Sequence, residues 1–171
     1  MNCDNGHHTC CVNIQSSIPI EFQEVALTAH LVISMSHFLD EDSIWNTSQA
    51  LNRASEFLAG HLGALDQSGT SLDMAMVARA LQVSGKSQET ASETAFEILA
   101  KARRDGEEGT FYWGDTLDCD DSLALRSTVY ALMVYTERGE DVPKVLRYLR
   151  IHFNKENSVY EPKNVPHAYE Q

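Results

Sequence analysis

Thr128-Val129-Tyr130-Ala131-Leu132-Met133-Val134 is apolar on nearly every face of a helix. Two other stretches echo it: Thr28-Ala29-His30-Leu31-Val32-Ile33-Ser34 and Val77-Ala78-Arg79-Ala80-Leu81-Gln82-Val83-Ser84. With His30, Arg79 and Tyr130 aligned, the copies fall about 50 residues apart, a spacing that marks a repeat of supersecondary units. Helices that are apolar all round are buried on most sides. A more amphipathic helical stretch follows each echo, so the pattern predicts an inner helix followed by an outer one, three times over. The fold class expected is all-α, built from about three antiparallel helical hairpins.

Working outward from the echoes, the first buried helix is expected over about Glu24 to Leu39, with His30 as a core histidine whose tip is hydrogen-bonded. Its outer partner runs from about Ser48 to Leu62, with Ala50, Leu51, Ala54, Phe57, Leu58 and Leu62 at three- and four-residue steps. The second inner helix spans about Leu72 to Ser84, and Gly85 suits a left-handed cap because it lacks Cβ. Its outer partner runs from about Glu89 to Arg104; Thr90-Ala91-Ser92-Glu93 fits a capping box, and Lys101, Arg103 and Arg104 complement the dipole in the last turn. Phe111-Tyr112-Trp113-Gly114 is an aromatic knot in a polar loop, expected to plug the end of a core. The third inner helix covers about Leu123 to Glu137, and it is expected to pack against both other echoes. The last helix opens at Asp141-Val142-Pro143, where Asp141 suits a cap and Pro143 a first turn, and its stripe of Val145, Leu146, Leu149 and Phe153 ends at about Phe153. The chain thus divides into an irregular head at 1–23, the helical body at 24–153, and a tail at 154–171 that contains Pro162 and Pro166.

Composition narrows the function classes. The 171 residues carry a formal net charge of −12 with dispersed basic residues, which argues against nucleic-acid binding, since meeting phosphates takes a basic stripe. No apolar run approaches the roughly 20 residues of a membrane span. Met1-Asn2-Cys3-Asp4-Asn5-Gly6 has neither the basic start nor the apolar core of a signal peptide, so the chain reads as cytosolic or as a segment of a longer secreted protein. Asn46-Thr47-Ser48 is an N-glycosylation acceptor pattern at Asn46, usable only in the secretory pathway. Cys3, Cys10, Cys11 and Cys119 are too unevenly placed for a disulfide-stapled mini-domain, and their pairing is open. Cys3, His7, His8, Cys10 and Cys11 are ligand types, but their spacing fits no common zinc pattern; no metal and no cofactor is expected.

Six segments together resemble a known family. Val25 to Ser34, Ala50 to Leu58, Met76 to Gly85, Phe111 to Trp113, Ser127 to Met133 and Val145 to Leu149 are similar, in order and spacing, to the thioester-containing domain of the alpha-2-macroglobulin and complement proteins. The resemblance covers roughly Val25 to Phe153 and implies a partial α/α toroid, with concentric inner and outer helices. It further implies an extracellular protein in endopeptidase inhibition or innate immunity, with proteases or immune-surface proteins as partners. The family's reactive thioester joins a Cys to a Gln three residues later. Here Cys3 leads to Gly6, Cys10 to Asn13, Cys11 to Ile14 and Cys119 to Ser122. The covalent chemistry is therefore missing from this chain, His7 and His8 receive no acyl-transfer role, and no catalytic residue is expected. A toroid cut open leaves apolar flanks, so the isolated chain is expected to be marginally stable or to self-associate through its edges.

Two other readings compete. Asp118-Cys119-Asp120-Asp121 matches the D-x-D-D acid motif of class II terpene cyclases, also α-barrel enzymes, with Asp118, Asp120 and Asp121 as the acid cluster. Against it stand the short chain and the missing Gln-Trp repeats around Trp45 and Trp113; an acidic approach to a helix N-terminus accounts for the motif better. The other is a helical-repeat scaffold that binds a protein through an exposed Phe111-Tyr112-Trp113 patch, a reading that fails if those rings are buried.

Overall fold

The structure, a computed structural model, describes residues 20–37, 44–85, 88–114 and 121–158. Seven α-helices form among them: α1 (Ile20–Ser36), α2 (Ile44–Gly60), α3 (Leu62–Ser68), α4 (Ser71–Val83), α5 (Glu89–Lys101), α6 (Asp121–Arg138) and α7 (Val142–Ser158). Two two-residue strands, β1 (Arg104–Asp105) and β2 (Phe111–Tyr112), pair antiparallel with Arg104 opposite Tyr112. The fold is all-α, and the three echoes lie in α1, α4 and α6.

These three helices stand in a row with α4 in the middle. α4 packs against α1 on one side and α6 on the other, and its outer partner is α5; α1 is backed by α2 and α6 by α7. Gln82 Nε2 on α4 donates to the Val134 carbonyl on α6 at 3.2 Å, and Arg79 pairs with Glu137. At the other end Leu72 and Asp73 share a small pocket with Leu123 and Ala124, so α4 and α6 run the same way. α6 was expected to touch both other echoes; its main inner contact is α4, which itself separates it from much of α1. The centre is thus the second echo, where Ala75, Met76, Val77, Ala78, Ala80 and Leu81 are all buried.

The helix ends follow from local chemistry. Thr70 closes a capping box on α4: its hydroxyl accepts from Asp73 N–H at 3.2 Å, and Asp73 Oδ2 accepts from Thr70 N–H at 3.2 Å. The box expected at Thr90 and Glu93 does not form, because α5 begins at Glu89 and has no side-chain cap at Gln88. Gly85 takes φ +92 after α4, the left-handed conformation its missing Cβ favours. The outer partner of α1 is longer than expected at its start and broken at Gly60; His61 Nδ1 bonds the Phe57 carbonyl at 2.7 Å, and α3 follows as a separate short helix. α7 continues to Ser158, beyond the expected end at Phe153: no breaker precedes Pro162, and adding a residue to a formed helix needs no new nucleus. Asp141, at φ +47, accepts the Val145 N–H at its carbonyl, while its carboxylate pairs with Arg103 and Lys144. That differs from the expected side-chain cap.

His30 is exposed, contrary to the expected core histidine, as are Leu27 and Leu31 beside it. α1 is an end member of the row, so the face that α4 buries against a second neighbour stays open on α1 among the described residues.

Candidate functional site

Two regions hold the side chains that bear on function. The first is the aromatic loop between α5 and α6. α5 ends at Lys101, so Arg103 and Arg104 leave the helix instead of filling its last turn. The chain turns through a 3-10 segment at Glu107–Gly109 and returns as β2. Phe111, Tyr112 and Trp113 are all buried, which matches the expected core plug and removes the exposed aromatic patch that a scaffold reading would use. Trp113 is fully enclosed: its indole Nε1 donates to the Leu99 carbonyl of α5 at 2.7 Å, and its backbone N–H donates to Thr128 Oγ1 of α6 at 3.0 Å. One residue thus ties an outer helix to an inner one, with both polar groups satisfied in a dry site. A Cβ on Gly114 would come within 3.0 Å of Ala124 Cβ, so the loop descends onto α6 where glycine allows the closest approach.

Rings and charges extend this plug. Tyr135 lies 5.1 Å from Trp113 and 5.2 Å from Phe96, both tilted. Burial raises the Tyr135 phenol above its ordinary value, with nearby Arg103 opposing. Arg138 sits 3.8 Å over Phe96 and bonds Glu93 at 2.7 Å; that hydrogen bond holds the Glu93 carboxyl below its ordinary value. Phe111 is flanked by Arg103 at 4.0 Å and Lys144 at 4.4 Å, and Tyr112 stacks on Tyr148 at 4.9 Å. These contacts join one part of the chain to another.

The second region is an apolar groove of about 530 Å³ where the end of α1 faces α6 and α7. Leu125, Val129, Tyr130 and Met133 form its α6 wall; Ile33 comes from α1, His37 from the turn just after it, and Phe153 from α7. Arg126 is its charged member and joins no ion pair with another described residue. Sequence periodicity did not find it, since it assigned Tyr130 and Met133 to a helix buried all round and Phe153 to an inward stripe. Phe153 and Met133 are exposed. The signal available was Arg126 within an otherwise apolar stripe at three- and four-residue steps.

The remaining sequence candidates are placed as follows. Cys3, His7, His8, Cys10 and Cys11 lie outside the described residues, as do Asp118, Cys119 and Asp120; Asp121 opens α6. Asn46 falls within the first turn of α2, not in a loop ahead of it. Among the described residues no group of three or more His, Cys, Asp or Glu is placed to hold a metal ion, and no helix is long and apolar enough to cross a membrane.

A family model described as the A-macroglobulin TED domain matches residues 10–156. The match begins ahead of the segments that carried the resemblance and ends near Phe153, taking in every helix of the row. No curated protein and no solved structure matches the chain.

Proposed function

The chain belongs to the A-macroglobulin TED domain family, and from that premise we propose that it acts as a non-covalent protein-binding domain of an extracellular protein, in endopeptidase inhibition or innate immunity. One pairing of observations carries the reading: the family match over residues 10–156 occurs in a chain with no Cys followed three residues later by Gln. A thioester ring needs both side chains at that offset. Without it the chain forms no acyl bond to a target, and it is not an enzyme. Its partners are proteins, either proteases or immune-surface proteins, held by shape and apolar contact. An extracellular route also brings Asn46 past the glycosylation machinery.

The test is incubation of the purified chain with labelled secretory endopeptidases, resolved on native gels and again in SDS. The expected complexes persist on native gels, disappear in SDS and are unchanged by methylamine pretreatment. An SDS-stable adduct that methylamine abolishes overturns the non-covalent reading. No complex with any endopeptidase overturns the inhibitory one.

A further inference from the structure

The large apolar side chains left exposed among the described residues are Leu27, Leu31, Leu123, Met133, Leu146 and Phe153. All belong to α1, α6 or α7; the described side chains of α2 to α5 include none. Burial is deepest at the middle of the row and fails at its two ends, and the two ends differ in charge.

On α1, Glu24, Leu27 and Leu31 lie three and four residues apart and make one exposed stripe with an acid at its start. On α6 and α7, the groove presents Met133 and Phe153 with Arg126 among them, and Arg150 is exposed one turn before Phe153. Glu24, Arg126 and Arg150 join no ion pair with another described residue. Among the described residues, one end is thus apolar with an acid beside it, and the other apolar with bases beside it. In a chain of net charge −12, that basic groove stands out from the overall acidity.

We propose that the chain associates with a second copy of itself, the α1 stripe of one copy seated in the α6–α7 groove of the next. Opposite charges set the pairing, and desolvation of the leucines and of Met133 and Phe153 holds it. At about 100° per residue, the stripe lies on roughly the opposite side of α1 from Ile33, which faces the chain's own groove. Stripe and groove therefore point away from each other. The contact is heterologous and head-to-tail, so copies add in series unless the rotation closes a ring.

The experiment is sedimentation equilibrium of the full chain in reductant, which keeps the cysteines from cross-linking copies. The expected weight-average mass exceeds 19.1 kDa and rises with concentration. A stripe variant (Leu27→Glu with Leu31→Glu) and a groove variant (Met133→Glu with Phe153→Glu) each weaken self-association by more than about tenfold, since each places charges in a desolvated contact. These side chains are exposed, and unchanged circular dichroism verifies folding. Mixed together, the two variants form a one-to-one pair, because each retains the face that the other lacks. Glu24→Arg and Arg126→Glu each weaken association by about threefold, and the two combined in one chain restore it. A mass of 19.1 kDa at every concentration overturns the proposal. So does association that both apolar variants leave intact, or a mixture that fails to pair.

Discussion

α1 and α4 are made from similar sequence and end in opposite surroundings. Aligned on His30 and Arg79, Leu27 of α1 corresponds to Met76 of α4. Met76 is 7 % exposed and Leu27 is 61 % exposed. The residue types are nearly interchangeable; what differs is the number of neighbours. α4 has an inner helix on each side, an outer helix behind it and a capping box at its start, whereas among the described residues α1 has an inner neighbour on one side only. A repeat sequence therefore specifies an apolar helix, and position in the row decides how much of it is dry.

The largest effect should come from opening the enclosed half of this comparison. Trp113→Ala is expected to cost about 3–5 kcal/mol, because it empties an enclosed site and leaves the Leu99 carbonyl without its donor. Urea denaturation measures it, and a cost below about 1 kcal/mol would mean that the loop does not hold α5 to α6. Next, Met76→Ala is expected to cost about 2–4 kcal/mol and Leu27→Ala less than about 0.5 kcal/mol. Equal costs at the two positions would erase the contrast.

Two smaller effects depend on pH. Burial raises the Tyr135 phenol above its ordinary value near 10. Its contribution is complete below that value and is lost as pH rises through the higher folded value, because the unfolded phenol ionises first. Alkaline denaturation of Tyr135→Phe should therefore fall less steeply above pH 10 than that of the native chain; parallel curves would place the phenol in water. Glu93 behaves oppositely. The Arg138 hydrogen bond lowers it, so its contribution is present above the ordinary value of 4.5 and lost as pH falls through the depressed folded one. The pair is largely exposed, and Glu93→Gln should cost under about 1 kcal/mol at neutral pH, with the difference closing in acid.

Periodicity made much of the fold legible. The apolar echoes marked α1, α4 and α6, the amphipathic stretches after them marked α2, α5 and α7, and Gly85 took the left-handed turn assigned to it. The centre of the row was not legible. α6 was expected to pack against both other echoes, yet α4 has the enclosed position, and His30 lies in an apolar run that faces out. Periodicity reports which residues share a helix face and is silent on what lies opposite it. The capping boxes show the same limit. Thr70-x-x-Asp73 and Thr90-x-x-Glu93 both have suitable residues, and only the true helix start selects between them. The aromatic loop was legible as a plug by its rings, but the bond from Trp113 to the Leu99 carbonyl depends on how β1 and β2 fold back. The groove itself was not legible beyond the isolated Arg126, because it brings Ile33 of α1 against Met133 and Phe153 of α6 and α7, far along the chain.

Amide hydrogen exchange followed by mass spectrometry tests most directly whether the row has an enclosed centre and open ends. Exchange reports the free energy of opening segment by segment. The account predicts that peptides from α4 exchange slowest, and that those from α1 and α7 exchange faster at a concentration low enough to keep copies apart. Protection in α1 equal to that in α4 under those conditions would contradict it.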